Sequence, residues 1–246
     1  MCSKVLASLR LSAGAKQGIK PLSQEKNQQQ AAIIIPAFNE AGTIADVVKS
    51  VKAYGTVIVV DDGSADGTPE LAEKAGAVVV RQPKNLGYDK ALQAGFRKAA
   101  ELGKDAAICI DADGQHPAGL IPGVISPLLE GKADAAFTVR PKPARMAEAI
   151  FRRIAKKRYG IGDILCGMKA FRLDVYKDYD SLYDHPTFAT AAAIAAARDG
   201  RRIIQTDIPV SPRADTPRIG RLVKANISIY KGMRLALDLT KEGKQA

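Results

Sequence analysis

Between residues 31 and 139, five short apolar runs alternate with helical patterns, and polar residues follow three of the runs closely. This alternation constrains the fold more than any other feature of the chain. Ala31–Ile35 is β-branched and meets a breaker at Pro36, with Asn39-Glu40 beyond it. Thr56–Val60 runs into Asp61-Asp62-Gly63-Ser64, and Ala106–Ile110 into Asp111-Ala112-Asp113-Gly114. Ala77–Val80 and Ala135–Val139 complete the set. Runs this short and this rich in β-branched residues read as buried strands. Ala41–Ala53 places apolar residues at 44, 47, 48 and 51, one helical face, and Thr68–Ala75 reads as a second helix. Leu92, Phe96 and Ala99 mark a third over 88–102, and a fourth near 118–130 is weakened by Pro122 and Pro127.

Strands separated by helices predict βαβ units, hence an α/β chain with a mostly parallel sheet and helices on both faces. Ligands of such sheets bind beyond the carboxyl ends of the strands, and right-handed crossovers bring these ends to one edge. The second half reads as an elaboration of the first: a basic helix over 143–158, a turn-rich segment over 159–168, an alanine-rich helix over 187–199, a strand over 202–208 and a basic helix over 218–240. Residues 1–30 end in QEKNQQQ, show no sustained period and are expected to form a flexible basic arm before one domain spanning 31–246. That domain divides into a ligand-binding half, 31–140, and an acceptor-side half, 141–246. The longest uninterrupted apolar run, Ala191–Ala197, is far short of a membrane span, and the N-terminus lacks a secretory core. A soluble, cytoplasmic chain is expected.

The net charge of +11 would by itself suggest nucleic acid. Its distribution argues otherwise. Residues 1–30 carry +4, 140–160 carry +7 and 211–246 carry +5, leaving −5 for the remainder. Acidic strand ends would repel a phosphate backbone, whereas an acidic site beside basic segments suits a metal and phosphates. Three cysteines without ligand spacing and two histidines exclude a disulfide scaffold and a histidine-rich metal centre.

Asp111 and Asp113, one residue apart past a buried strand, offer hard oxygen ligands of the kind that hold Mg²⁺ or Mn²⁺ together with substrate phosphates. His116 is a further metal or phosphate contact or a residue of the turn. Asp61 and Asp62 can accept hydrogen bonds from a base or a ribose. Asn85-Leu86-Gly87 opens a helix whose free N–H groups, with Lys90, can meet a phosphate, or is a simple turn.

The segments IIIPAFNE, VVDDGSADGT, NLGYDKALQAGF and IDADGQHP, in this order and spacing, resemble the family 2 glycosyltransferases of the GT-A fold over residues 32–140. GDILCGMKAFR (162–172) is similar to polyprenyl-phosphate members of that family, and IPVSPRADTPRIGR (208–221) loosely so. The resemblance implies a Rossmann-like sheet and inverting transfer from a nucleotide-diphosphate sugar with Mg²⁺ or Mn²⁺. It implies that Pro36, Ala37, Asn39, Glu40, Asp61, Asp62 and Ala112 line the nucleotide and that Asp111 and Asp113 bind metal and diphosphate. Gln115 would lie near sugar or acceptor, with Arg172, Arg213, Arg218 and Arg221 on an acceptor phosphate. The chain departs from the family at Asp89-Lys90, where a small residue is usual, and at Phe188–Ala191, which lacks the usual acid. A lipid-phosphate acceptor is already anionic, whereas a hydroxyl acceptor needs a proton acceptor, for which Asp163 is the candidate if it does not merely cap a turn. The basic segments, with Met146, Ile150 and Ile154 at near-helical spacing, suggest peripheral contact with an anionic membrane, the alternative being solvated helix faces.

Overall fold

The computed structural model describes residues 30–143, 145–182, 187–209, 229–234 and 238. Seven strands form one sheet: β1 (Ala31–Ala37), β2 (Thr56–Asp61), β3 (Val78–Arg81), β4 (Ala106–Cys109), β5 (Ala135–Val139), β6 (Lys169–Arg172) and β7 (Ile203–Asp207), in the order β3-β2-β1-β4-β6-β5-β7. Pairings are parallel except β4–β6 and β5–β6. Helices α1 (Ile44–Val51), α2 (Thr68–Ala75), α3 (Tyr88–Glu101), α4 (Ile121–Leu129), α5 (Met146–Tyr159), α6 (Leu173–Tyr176) and α7 (Phe188–Arg198) connect them.

The continuous apolar character of β1 follows from burial on both faces. Ile34 joins Leu92 and Phe96 of α3, Phe151 of α5 and Phe188 of α7 in one core. Ile33 and Ile35 join Ile44 and Val48 of α1 and Val124 and Ile125 of α4 in the other. All three isoleucines are fully buried, each contributing roughly 1.5–3 kcal/mol.

Pro36 does not end β1, contrary to the sequence expectation; the strand continues to Ala37. Ile34 accepts the Ile110 N–H, so the even-numbered residues of β1 turn their backbone toward β4, while Ala37 accepts the Asp62 N–H on the β2 side. The N–H that Pro36 lacks would point toward β4 beyond Ile34↔Cys109, where that pairing ends. Pro122 is likewise tolerated, standing in the first turn of α4, where no intrahelical acceptor is required.

The sequence reading missed β6. It is four residues long, begins with Lys and ends with Arg, and shows no alternation that would mark a strand. Its antiparallel place between β4 and β5 buries even Lys169. Of the expected helix over 218–240, residues 229–234 and 238 are helical, while 218–228 lie outside the described residues, as do 1–29.

The sheet reverses its direction of growth between β1 and β4, since β2 and β3 lie on one side of β1 and β4 on the other. Loops leaving such neighbours diverge and open a crevice. The segments following β1 and β4 meet there.

Candidate active site

Two loops are fastened together on one side of the crevice. Asn39, at φ 54°, donates its N–H to Ser64 Oγ (2.9 Å) and accepts the Ala65 N–H on Oδ1 (3.0 Å). Glu40 N–H reaches Thr68 Oγ1 (2.8 Å), and Ala41 N–H reaches Asp66 Oδ2 (3.0 Å). Asp61 and Asp62 are buried at the end of β2. Asp61 accepts the Ser64 N–H, and Asp62 accepts those of Leu86 (2.7 Å) and Gly87 (2.9 Å). Asp62 therefore pins the turn that starts α3. Gly63 lets that turn approach: its φ is 80°, and a Cβ there would come within 2.7 Å of the Lys84 backbone. Pro36, Ala37 and Glu40 are buried in this wall, and Lys90 stands half-buried in the first turn of α3.

Across the crevice, Asp111 follows β4 with its carboxylate partly exposed. Tyr88 Oη donates to Asp111 Oδ1 at 3.1 Å. Tyr88 is 43% exposed as a residue, but the loss of solvent around its oxygen and the negative charge of Asp111 push the phenol above its usual range, so it remains a donor. Ala112 is buried, and Asp113 turns back to accept the Gln115 N–H (3.0 Å). No lysine or arginine forms an ion pair with Asp111 among the described residues.

His116, expected as a further metal ligand, is used otherwise. Its Nδ1 accepts the Asp111 backbone N–H at 3.3 Å, and its side chain is hydrogen-bonded to the buried thiol of Cys166. Through Nδ1 it supports the Asp111 turn, the second of the two roles its spacing left open.

Asp163 is buried, and Arg140 grips it through Nε (2.7 Å) and Nη2 (3.1 Å) while also donating its backbone N–H (3.3 Å). Burial alone would raise the Asp163 carboxyl; the guanidinium overrides it and holds the pKa below the ordinary range. The same guanidinium lies 3.4 Å from buried Glu148, itself held by Arg145 at 2.8 Å. Asp163 is thus paired as a structural anion in the segment between β5 and β6.

Arg172, expected on an acceptor phosphate, requires a correction. Because β6 runs antiparallel to β4, Arg172 pairs in register with Ala106 at the start of β4. It lies at the opposite edge of the sheet from Asp111, bound to Asp174, beside a cavity of about 430 Å³ that also meets Lys104, Asp105 and Lys177. Lys169, at the other end of β6, is the residue that the strand brings to the crevice side, where it donates to the Cys166 carbonyl. Arg213, Arg218 and Arg221 lie outside the described residues.

One acid went unforeseen as a site group. Asp89 accepts the Ala189 N–H at the start of α7 (3.2 Å), and burial raises its pKa to about 6 despite that bond and the charge of Lys169. Its position after Tyr88 was the available signal.

The residues 32–191 match the family described as glycosyl transferase family 2. The chain belongs to that family and has the GT-A fold. It is 31% identical over 197 residues to glycosyltransferase AglJ of Haloferax volcanii, covering 74% of this chain and 63% of that one. It is 36% identical over 129 residues to the UDP-N-acetylglucosamine–dolichyl-phosphate N-acetylglucosaminyltransferase of Methanococcus voltae, covering 45% and 51%. The chain thus spans between about half and two thirds of the length of these relatives. Its fold matches glucosyl-3-phosphoglycerate synthase of Mycobacterium tuberculosis, solved with Mn²⁺, UDP and phosphoglyceric acid, with a TM-score of 0.64, 22% identity and coverage of 85% and 80%.

Proposed function

We propose that this glycosyltransferase carries out inverting transfer of a sugar from a nucleotide-diphosphate donor, with Mg²⁺ or Mn²⁺, to a polyprenyl-type lipid phosphate. The observation that carries the acceptor reading is the Arg140–Asp163 pair: the carboxylate best placed in the sequence to take a proton is spent on a guanidinium. An acceptor that is already an oxyanion needs no such base. The dolichyl-phosphate transferase among the relatives supports the same choice and makes UDP-N-acetylglucosamine the first donor to test.

The donor set fits a divalent ion of this kind. Among the described residues no group of three or more His, Cys, Asp or Glu is arranged to hold a metal unaided. Asp111 and Asp113 would supply the protein ligands, the diphosphate the remainder, as is usual for Mg²⁺. Held there, such an ion would supply charge neutralisation of the leaving diphosphate. The protein's own work is positioning. Asn39, Glu40 and Asp61 shape the nucleotide wall, Tyr88 orients Asp111, and the first turn of α3 with Lys90 faces the phosphates. Gln115 is assigned to the sugar side.

The outer face of α5 supports contact with an anionic membrane surface on the cytoplasmic side. Met146 is 72% and Ile150 37% exposed, and Arg153, Lys156, Lys157 and Arg158 follow them. Each cation near such a surface contributes about 1 kcal/mol. No helix among the described residues is long and apolar enough to cross a membrane.

A second reading, transfer to a hydroxyl, is favoured by Asp89, whose pKa of about 6 suits a proton acceptor. Incubation of the protein with labelled nucleotide sugars and either polyprenyl phosphate or the corresponding alcohol, with and without Mn²⁺, separates the two. Metal-dependent product on the phosphate alone is expected. Product on the alcohol, abolished in Asp89→Asn, would replace the lipid-phosphate reading, and metal-independent turnover would remove the ion.

A further inference from the structure

We infer that Gly167 is a positioning residue for Asp111: the missing side chain at 167 is the space that the Asp111 carboxylate occupies. The inference rests on the metal-dependent reading above but concerns a contact internal to this chain. A Cβ built on Gly167 would lie 2.6 Å from Asp111 Oδ2, 2.8 Å from Oδ1 and 3.0 Å from Cγ. No other atoms are among its three nearest neighbours. The carboxylate therefore rests directly against the Gly167 α-carbon, with Tyr88 Oη on Oδ1 and His116 Nδ1 3.8 Å from Oδ2.

Position 167 cannot retreat easily. Its carbonyl accepts the Cys109 thiol at 3.0 Å, and two residues later β6 enters its register at Cys109↔Lys169. Cys166, on the other side, is held by His116 and by Thr138 Oγ1 at 3.0 Å. Gly167 also has no positive φ, so its backbone accepts alanine. The obstacle to a side chain is then the far end of another side chain. Asp111 can rotate about its own bonds at small cost, leaving the chain folded with the carboxylate turned from its place. A residue that acted only on stability would behave in the opposite way.

The experiment is a double-mutant cycle of Gly167→Ala and Asp111→Ala on the full chain, read by Mn²⁺-dependent UDP binding in calorimetry, by thermal midpoint without metal, and by turnover. Gly167→Ala is expected to weaken Mn²⁺-dependent UDP binding about tenfold or more and to lower kcat about a hundredfold, with the metal-free midpoint nearly unchanged. In the Asp111→Ala background the same substitution is expected to cost nothing further. A crystal structure of Gly167→Ala should show Asp111 in a different rotamer. Parental UDP binding and turnover in Gly167→Ala, an equal loss in both backgrounds, or an unmoved Asp111 would each overturn the inference. If Gly167→Ala fails to fold, recovery of the fold in the double variant supports the contact, and failure there too rejects it. Absence of Mn²⁺-dependent UDP binding in the parent would instead remove the metal reading, while the Asp111 rotamer in Gly167→Ala still decides the role of Gly167.

Discussion

The two edges of the sheet treat their carboxylates differently. At the edge where β1, β2 and β4 end, Asp61 and Asp62 are held by backbone N–H groups, Asp66 by backbone and Thr68, and Asp111 by Tyr88. At the opposite edge, Asp134 is gripped by Arg202 through Nε (3.1 Å) and Nη2 (2.6 Å), Asp174 by Arg172 and Asp178 by Arg201. Neutral donors fix a carboxylate without cancelling its charge, whereas an arginine does both. The first edge keeps the negative charge that a cation can use; the second spends it on holding the chain. Arginine pairs do occur at the first edge, Arg81 with Glu70 and Glu73 and Arg140 with Asp163 and Glu148, but none of them takes Asp61, Asp62 or Asp111.

The strongest test of this contrast is Asp113→Ala. Turnover is expected to fall by about a thousandfold or more, with the circular dichroism melting curve close to parental; full activity would break the assignment of the acidic edge. Next is Asp62→Ala, which leaves the Leu86 and Gly87 N–H groups without their acceptor. A loss of roughly 3 kcal/mol in urea denaturation is expected, together with weaker donor binding as the start of α3 loosens.

Acidity separates the two kinds of carboxylate next. Asp134, whose pKa is held low first of all by its Arg202 hydrogen bonds, contributes stability that is present above the unfolded pKa and is lost as pH falls through the folded one. Asp89 has the opposite sign. Its folded pKa of about 6 exceeds the reference 3.8, so the native state holds the extra proton between those values and stability declines as pH rises through them. Denaturant midpoints from pH 3 to 7 should therefore lose their decline between pH 4 and 6 in Asp89→Asn, an effect of about 2 kcal/mol. In Asp134→Asn they should instead lose part of the acid-induced drop below pH 4. The smallest effect is expected from Arg172→Ala: unchanged kcat and KM, because the side chain sits at the far edge. A raised KM for the acceptor would reverse that correction.

Much of this contrast was legible in the residues. Six strands could be read: the β-branched or alanine runs of β1, β2, β4 and β5 are buried, β3 and β7 are half-buried, and the carboxylates after β1, β2 and β4 name the edge at which they meet. Partnership was not legible. Asp111 and Asp163 look alike in a sequence, and only the fold shows that one meets a phenol and the other a guanidinium 23 positions away. Arg172 was misplaced for the same reason that β6 was missed. A four-residue strand with charged ends carries no periodicity, and without its antiparallel direction the two ends of GDILCGMKAFR cannot be told apart. Spacing left His116 open between a metal contact and a turn residue, and only the fold shows its Nδ1 accepting a backbone N–H of its own turn.

The reversal of β6 carries a consequence for how the molecule can vary. β5 ends and β6 begins on the same side of the sheet, so residues 140–168 leave and return at one rim, anchored at both ends by Phe137↔Lys169 and its neighbours. Such a segment behaves as a cassette. Its exposed positions, such as Met146 and Lys156, can change without shifting the register of any strand, whereas Phe151, Ala155, Ile164 and Gly167 are tied to the core or to Asp111. Exposed positions of this segment can therefore be exchanged, while the residues tied to the core and to Asp111 keep the sheet and its acidic edge as they are.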